Sequence, residues 1–299
     1  MRACDTLHLQ YRTLIRYVSQ IKRERTVSMT AHSPLSHVLD AAERQGQLNV
    51  RTAELAEALP GVSAAAVRRA IHRQQAKGRL VRLSRGSEHW LIVPLQYQVS
   101  GAPPLETWLD RYLARTLRVP YYVGMLSAAA TYGASPQAIM VTQIMVPKPR
   151  RPFLVGRYKL VFHVRADAEK MPTCWHETPE GRFKVSTAEL TALELVQREA
   201  QLGGIARVRE VLRTLVHSCS KAGLEEALEA VYEVPAAQRL GVLLALDGQT
   251  VLARWIEHWL TNHTPRIISL ATDSASRGED RLDRVFKVRV PIELESINA

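Results

Sequence analysis

Hydrophobic positions over residues 33–98 recur first with a helical period and then in short strand-like runs. Leu35, Val38, Leu39 and Ala42 fall on one side of a helix that ends at Gly46. A second helix follows, with Thr52 as its N-cap and Leu55, Ala56 and Leu59 inward. Pro60-Gly61 stops it, because proline cannot continue the hydrogen-bond ladder and glycine tolerates the turn. Ser63 caps a third helix, residues 64–77. At about 100° per residue that helix turns Val67, Ala70 and Ile71 to one side and Ala65, Arg68, Arg69 and His72 to the other. Gly78 closes it, and residues 80–83 and 90–93 read as strands joined by Ser84-Arg85-Gly86-Ser87, with Arg85 at the tip.

Beyond residue 98 the pattern changes. Ser100-Gly101-Ala102-Pro103-Pro104 breaks both periods and reads as a linker, after which Trp108, Leu109, Tyr112, Leu113 and Leu117 form an apolar helical stripe ended by Pro120. Residues 124–132 give a helix of small residues. Residues 139–146 and 158–164 read as strands of a hairpin whose turn is the basic Lys148-Pro149-Arg150-Arg151-Pro152, and residues 175–185 read as another hairpin. From Ser186 the period is helical, carried by Leu190, Leu193, Val208, Leu212, Leu224, Leu228, Leu240, Leu243, Ile256 and Leu260, which predicts a bundle. Residues 267–270 and 285–290 close the chain as strands around a polar loop, 272–281. Before the first strongly patterned helix, Leu14, Ile15, Val18 and Ile21 can share a helix face, so residues 1–32 read as an extra amphipathic helix, as a poorly ordered arm or, with Met29 standing just before that helix, as a stretch that is not translated. The predicted class is α+β. A winged helix-turn-helix occupies residues 33–98, a linker residues 99–104, and a mixed α/β domain with a helical bundle residues 105–299.

Composition narrows the class. A chain of 299 residues with 46% apolar side chains suggests two folded domains. The net charge of +11 is uneven: residues 1–98 hold 15 basic and 7 acidic side chains and residues 99–186 hold 12 and 6, so the excess lies in the first two thirds. A basic surface concentrates and steers polyanions, although a helix lying on an anionic membrane would have the same balance. Cys4, Cys174 and Cys219 are odd in number and widely spaced, which argues against a disulfide framework and for a reducing cytoplasm. No apolar run reaches the roughly 20 residues of a membrane span, and the start lacks the apolar segment of a signal peptide.

In helix-turn-helix proteins the second helix of the pair enters the major groove and its early residues meet base edges. The bland reading of arginines opposite an apolar stripe is a solvated face, but the short helix, tight turn, second helix and immediate hairpin favour DNA. The expected contacts are Ser63, Ala65, Arg68, Arg69, His72, Arg73 and Arg85. Lys148, Arg150 and Arg151 either keep their hairpin soluble or extend the track along phosphates. Catalytic chemistry finds little support: His163 and His176 have no nucleophile in a recognisable motif, and Asp167, Glu169, Glu177 and Glu180 are scattered. Cys174-Trp175-His176 offers two metal donors but no second pair, so no catalytic residue, metal or cofactor is expected. A ligand-sensing one-component regulator is the alternative, with Tyr232, Trp255 and Trp259 lining a pocket.

The run Tyr121-Tyr122-Val123-Gly124-Met125-Leu126-Ser127-Ala128-Ala129-Ala130-Thr131-Tyr132-Gly133, with Gln143-Ile144-Met145-Val146 after it, resembles the core of the AbiEi family, antitoxins of type IV toxin-antitoxin systems. Residues 78–86 through Val93-Pro94 match the hairpin of the winged helix that precedes this domain in the family. The resemblance implies that the first domain represses its own operon at an inverted-repeat operator in double-stranded DNA. It also implies that the second counteracts a nucleotidyltransferase-like toxin without a stable complex; no membrane partner is expected, since no apolar run is long enough to span one. The residues before Ser33 depart from the family's usual start. The physical reading of the small-residue run is close helix packing, with Gly124 and Gly133 at the helix ends.

Overall fold

A computed structural model describes residues 34–84, 86–135, 141–271 and 280–295. The expectations for residues 1–32, for Arg85 and for most of the loop 272–281 lie outside the described residues. The chain divides into two units: Met1–Arg111 with Phe153–Tyr158, and Tyr112–Pro152 with Lys159–Ala299.

The first unit runs α1 (Pro34–Arg44), β1 (Asn49–Arg51), α2 (Thr52–Glu57), α3 (Ala64–Ala76), β2 (Leu80–Arg82) and β3 (His89–Ile92). Leu35, Val38, Leu39 and Ala42 of α1, Leu55 of α2 and Val67, Ala70 and Ile71 of α3 are buried, the positions that the helical period assigns inward. Leu80, Leu91 and Ile92 complete the core from the sheet. Each of the buried leucines, valines and isoleucines contributes about 1.5–3 kcal/mol by leaving water. The sheet is antiparallel in the order β1-β3-β2, with Val50 opposite Trp90 and Val81 opposite Leu91. β1 has no signal of its own in the sequence, because three residues are too few to show an alternation. Thr52 differs from its expected role as cap. It is the first helical residue, and its hydroxyl accepts from Trp90 Nε1 at 2.9 Å and donates to the Glu88 carbonyl at 3.4 Å. Arg51 stands at the cap position, its backbone N–H donating to Glu54 Oε2 at 2.8 Å. Further along, Trp108 is fully buried, donating from Nε1 to the Pro103 carbonyl at 3.2 Å while its own carbonyl accepts from Asn49 Nδ2 at 3.1 Å.

In the second unit the strands are β4 (Tyr122–Val123), β5 (Val141–Val146), β6 (Tyr158–Val164), β7 (Thr173–Thr178) and β8 (Gly181–Ser186), lying in the order β6-β5-β4-β8-β7. The sheet is mixed. β4 pairs antiparallel with β5 and parallel with β8, while β5 and β6 are parallel, with Ile144 opposite Phe162. The hairpin expected across Lys148–Pro152 is therefore corrected: that segment leads between two parallel strands, and the chain reverses later, at Gly156-Arg157, after the short strand Phe153–Val155. In this sheet β7 and β8 do form the hairpin read from the sequence.

Helix α4 (Met125–Thr131) packs beside this sheet, and α5 (Ala188–Gln197) follows β8, with α6 (Ile205–Leu215), α7 (Lys221–Val231), α8 (Val234–Leu246) and α9 (Thr250–Thr261) after it. All residues of α5 except Gln197 are buried, because α4, α6, α7 and α8 pack around it. A helix surrounded in this way need not be amphipathic, and this one buries Glu189, Thr191 and Glu194 as well as its leucines. Among the described residues three short strands follow, β9 (Ile268–Ser269), β10 (Asp280–Asp283) and β11 (Val288–Pro291), in the order β9-β11-β10, and then the short helix α10 (Ile292–Glu295). β10 shows no apolar alternation because three of its four residues are exposed.

Candidate nucleic-acid interface

Ser63 starts α3: its hydroxyl accepts from the Ala66 backbone N–H at 3.3 Å and so satisfies one of the helix's unpaired donors. Past the helix, Gly78 takes φ +68, a left-handed conformation that costs glycine nothing. The inner face is fixed by Val67, Ala70 and Ile71 together with Gln74, whose Nε2 donates to Ser36 Oγ of α1 at 2.8 Å. With that face pinned, the rotation of the helix is set, and Ala65, Arg68, Arg69, His72, Arg73 and Lys77 are all exposed. Arg68 Nε donates to the carbonyl of Ala64 at 3.4 Å, which lays its side chain back along its own helix. Among the described residues, the side chains of Arg69, His72 and Arg73 have no hydrogen bond or ion pair. Together these side chains make a basic ridge open to solvent.

Not every basic residue nearby belongs to that ridge. Arg79 is held by Asp40, and by Glu43 at 2.8 Å, so its charge is spent inside the unit. Arg82 of β2 stacks over Trp90, with its guanidinium carbon 4.6 Å from the ring centroid. Beyond β2 the connection to β3 passes Ser84, Gly86 and Ser87, and Arg85 itself lies outside the described residues. Lys148, Arg150 and Arg151 are exposed and belong to the second unit, on the segment between β5 and β6. Lys77, exposed at the end of the same helix, was missed in the sequence; its signal was the continuation of the polar face of α3.

The second unit holds a buried polar centre that periodicity did not reveal. Glu194 of α5 is fully buried, accepting from Tyr122 Oη at 2.5 Å and from the Met125 backbone N–H at 3.2 Å, while Arg165 Nη1 lies 4.0 Å away. Loss of water raises the carboxyl pKa, and the Tyr122 hydroxyl and Arg165 oppose that rise; burial likewise pushes the Tyr122 hydroxyl up. Met125 adopts φ +53 where the chain enters α4 over this carboxylate. A Cβ at Gly124 would come within 2.6 Å of Glu194 Oε2, so glycine is required there for close approach rather than for its backbone angle. The small residues of α4 are partly a packing device, as expected, with Ser127, Ala128 and Ala129 buried and Ala130 exposed. Ser127 also bonds: its hydroxyl donates to the Val141 carbonyl and accepts from the Gln143 backbone N–H, each at 2.9 Å.

Residues 122–246, which carry this centre, match the family described as the AbiEi antitoxin C-terminal domain. That segment belongs to the AbiEi antitoxin family. The crystal structure of the RV2827C protein from Mycobacterium tuberculosis is similar over 90% of this chain and 95% of its own, with a TM-score of 0.60 and 18% identity. At that identity the likeness is one of fold. No curated protein matches the chain. Elsewhere in the second unit, Trp259 stacks on His263 with ring centroids 3.7 Å apart and donates to Glu229 at 2.8 Å, while Tyr232 meets both rings edge-on. These aromatics form a cluster, and a cavity of about 350 Å³ lies elsewhere, lined by Leu212, Arg213, Val216, Leu243, Leu244 and Asp247. Among the described residues no three His, Cys, Asp or Glu side chains converge as metal ligands, and no helix is long and apolar enough to cross a membrane.

Proposed function

We propose that the protein is a DNA-binding antitoxin whose first unit is a winged helix-turn-helix and whose AbiEi domain counteracts a nucleotidyltransferase-like toxin. The observation that carries the DNA-binding half is the solvent-open basic ridge of α3, with Arg69, His72 and Arg73 unpaired among the described residues on a helix whose rotation the core fixes. In this reading α3 enters the major groove. Arg68, Arg69 and His72 meet base edges, Ala65 gives the helix clearance, and Ser63 and Arg73 lie by the backbone. Arg85 reaches the minor groove or a phosphate, and Lys148, Arg150 and Arg151 add phosphate contacts. The operator is an inverted repeat upstream of the gene, bound so as to repress it, and antagonism of the toxin proceeds without a stable complex, as in the type IV systems that the family implies.

Gel-shift titrations on operator and scrambled duplexes at two salt concentrations test this. Arg68→Ala or Arg69→Ala lowers the preference for the operator by about 1–3 kcal/mol each if the contact is bidentate. Arg85→Ala weakens binding to all duplexes alike and reduces the salt slope by about one. Unchanged affinity in all three variants refutes the assignment. For the second half, rescue of cells expressing a nucleotidyltransferase-like protein encoded beside this gene supports antagonism, and co-purification of the pair contradicts its mode.

A further inference from the structure

The hairpin β7–β8 places Thr173, Trp175 and Glu177 on one face, opposite Ser186, Lys184 and Arg182 in register, while Phe183 and Val185 point from the other face into the core. On the outer face Trp175 keeps 40% of its surface exposed. The Arg182 guanidinium carbon lies 4.4 Å from the Trp175 ring centroid and is held there by the Glu177 carboxylate at 3.1 Å; the Lys184 ammonium lies 5.7 Å from the same ring. Lys184 also lines a cleft of about 240 Å³, with Arg118, Tyr121, Glu169 and Thr173. In that cleft two cations face one carboxylate. Arg118 is exposed, has no hydrogen bond or ion pair among the described residues, and sits at φ +52, a conformation that a non-glycine residue holds only at a cost.

We propose that this face binds a nucleotide, with its phosphate between Arg118 and Lys184 and its base on the layered platform of Trp175 and Arg182. The charge balance calls for an anion. The volume exceeds that of an ion alone, since a water takes about 30 Å³ of liquid, and leaves room for a sugar, whose hydroxyls Glu169 and Thr173 can bond. Indole rings and guanidinium planes are the surfaces on which unpaired bases stack, which selects a nucleotide over a phosphorylated peptide. The nucleotide is either free or part of a single strand. The site lies wholly within the second unit and does not rest on duplex binding by α3.

The test is fluorescence anisotropy of the full chain with a fluorescent adenine nucleotide, competed by AMP, by a 5′-phosphorylated hexaadenylate and by a phosphoserine peptide. Arg118→Ala, Lys184→Ala and Trp175→Leu each weaken binding about tenfold, and since all three side chains are exposed the fold, checked by circular dichroism, persists. Arg68→Ala leaves the affinity unchanged. Competition by AMP identifies a free nucleotide as the ligand, and competition by the hexamer alone identifies a strand; both support the site. Absence of binding at millimolar nucleotide, indifference to the three substitutions, or stronger competition by the phosphopeptide overturns it.

Discussion

Replacing Tyr122 by Phe removes one hydroxyl from the buried centre of the AbiEi domain, and the cost depends on pH. Glu194 has two hydrogen-bond donors, Tyr122 Oη and the Met125 N–H, with Arg165 4.0 Å away. The Phe ring retains the packing, so the change isolates the bond. When Glu194 is protonated, the loss is that of a neutral hydrogen bond, about 1 kcal/mol; when it is ionised, a charged acceptor loses its partner, at about 1.5–3 kcal/mol. The sign follows from linkage. Burial raises the folded-state pKa of Glu194, so the native state binds more protons than the unfolded one. This group's contribution is fully present below the unfolded value and is lost as pH rises through the folded value. The Tyr122 hydroxyl holds that folded pKa down, so its removal raises it further and widens the loss at high pH, by about 1.4 kcal/mol for each unit of rise. Urea denaturation of the full chain at pH 5 and pH 9, followed by far-ultraviolet circular dichroism, measures both ends. The destabilisation is expected to be larger at pH 9. An equal or smaller value there refutes the Tyr122 hydroxyl as a donor to the ionised form of the buried Glu194 carboxyl group.

Two glycines of the same run should fail for different reasons. Gly124→Ala keeps an allowed backbone but drives a Cβ against Glu194 and Met145, costing about 1–3 kcal/mol; Gly133→Ala meets open space but forces φ +70 on alanine, costing about 1–2 kcal/mol. A second substitution, Met145→Ala, should relieve part of the first loss and none of the second in the same denaturation assay, and equal rescue of both would contradict the distinction. Asp247→Ala strips the counter-charge from Arg209, which is 3% exposed and donates to that carboxylate from Nε and Nη2, and leaves it only the Leu294 carbonyl that accepts from Nη1. An orphaned buried cation costs about 3–5 kcal/mol, and a change in midpoint equivalent to less than 1 kcal/mol would show that the guanidinium finds water.

The first unit was legible in the sequence because its elements are short and one-sided. The helix Ala64–Ala76 buries one face and leaves the other in solvent, so Val67, Ala70 and Ile71 stand out against Arg68, Arg69 and His72, and Ser63 and Gly78 mark the ends. The exposure of the basic ridge follows from that pattern alone. β1 was invisible because three residues carry no period, and the capping role of Thr52 was misread because its hydroxyl serves Trp90, a partner 38 residues away.

What the amino-acid order determined by itself was local: helix faces, caps, turns and the uneven charge. Strand direction was not local. The parallel pairing of β5 with β6 depends on where β4 and β8 lie, and a basic Pro-rich stretch between two apolar runs reads equally as a hairpin turn. The buried carboxylate of Glu194, the need for Gly124 beside it and the meeting of Arg118 with Lys184 arise only when segments as far as 72 residues apart close on one another. Chemistry of that kind is set by the tertiary fold, because desolvation and proximity are properties of neighbours that no spacing along the chain encodes.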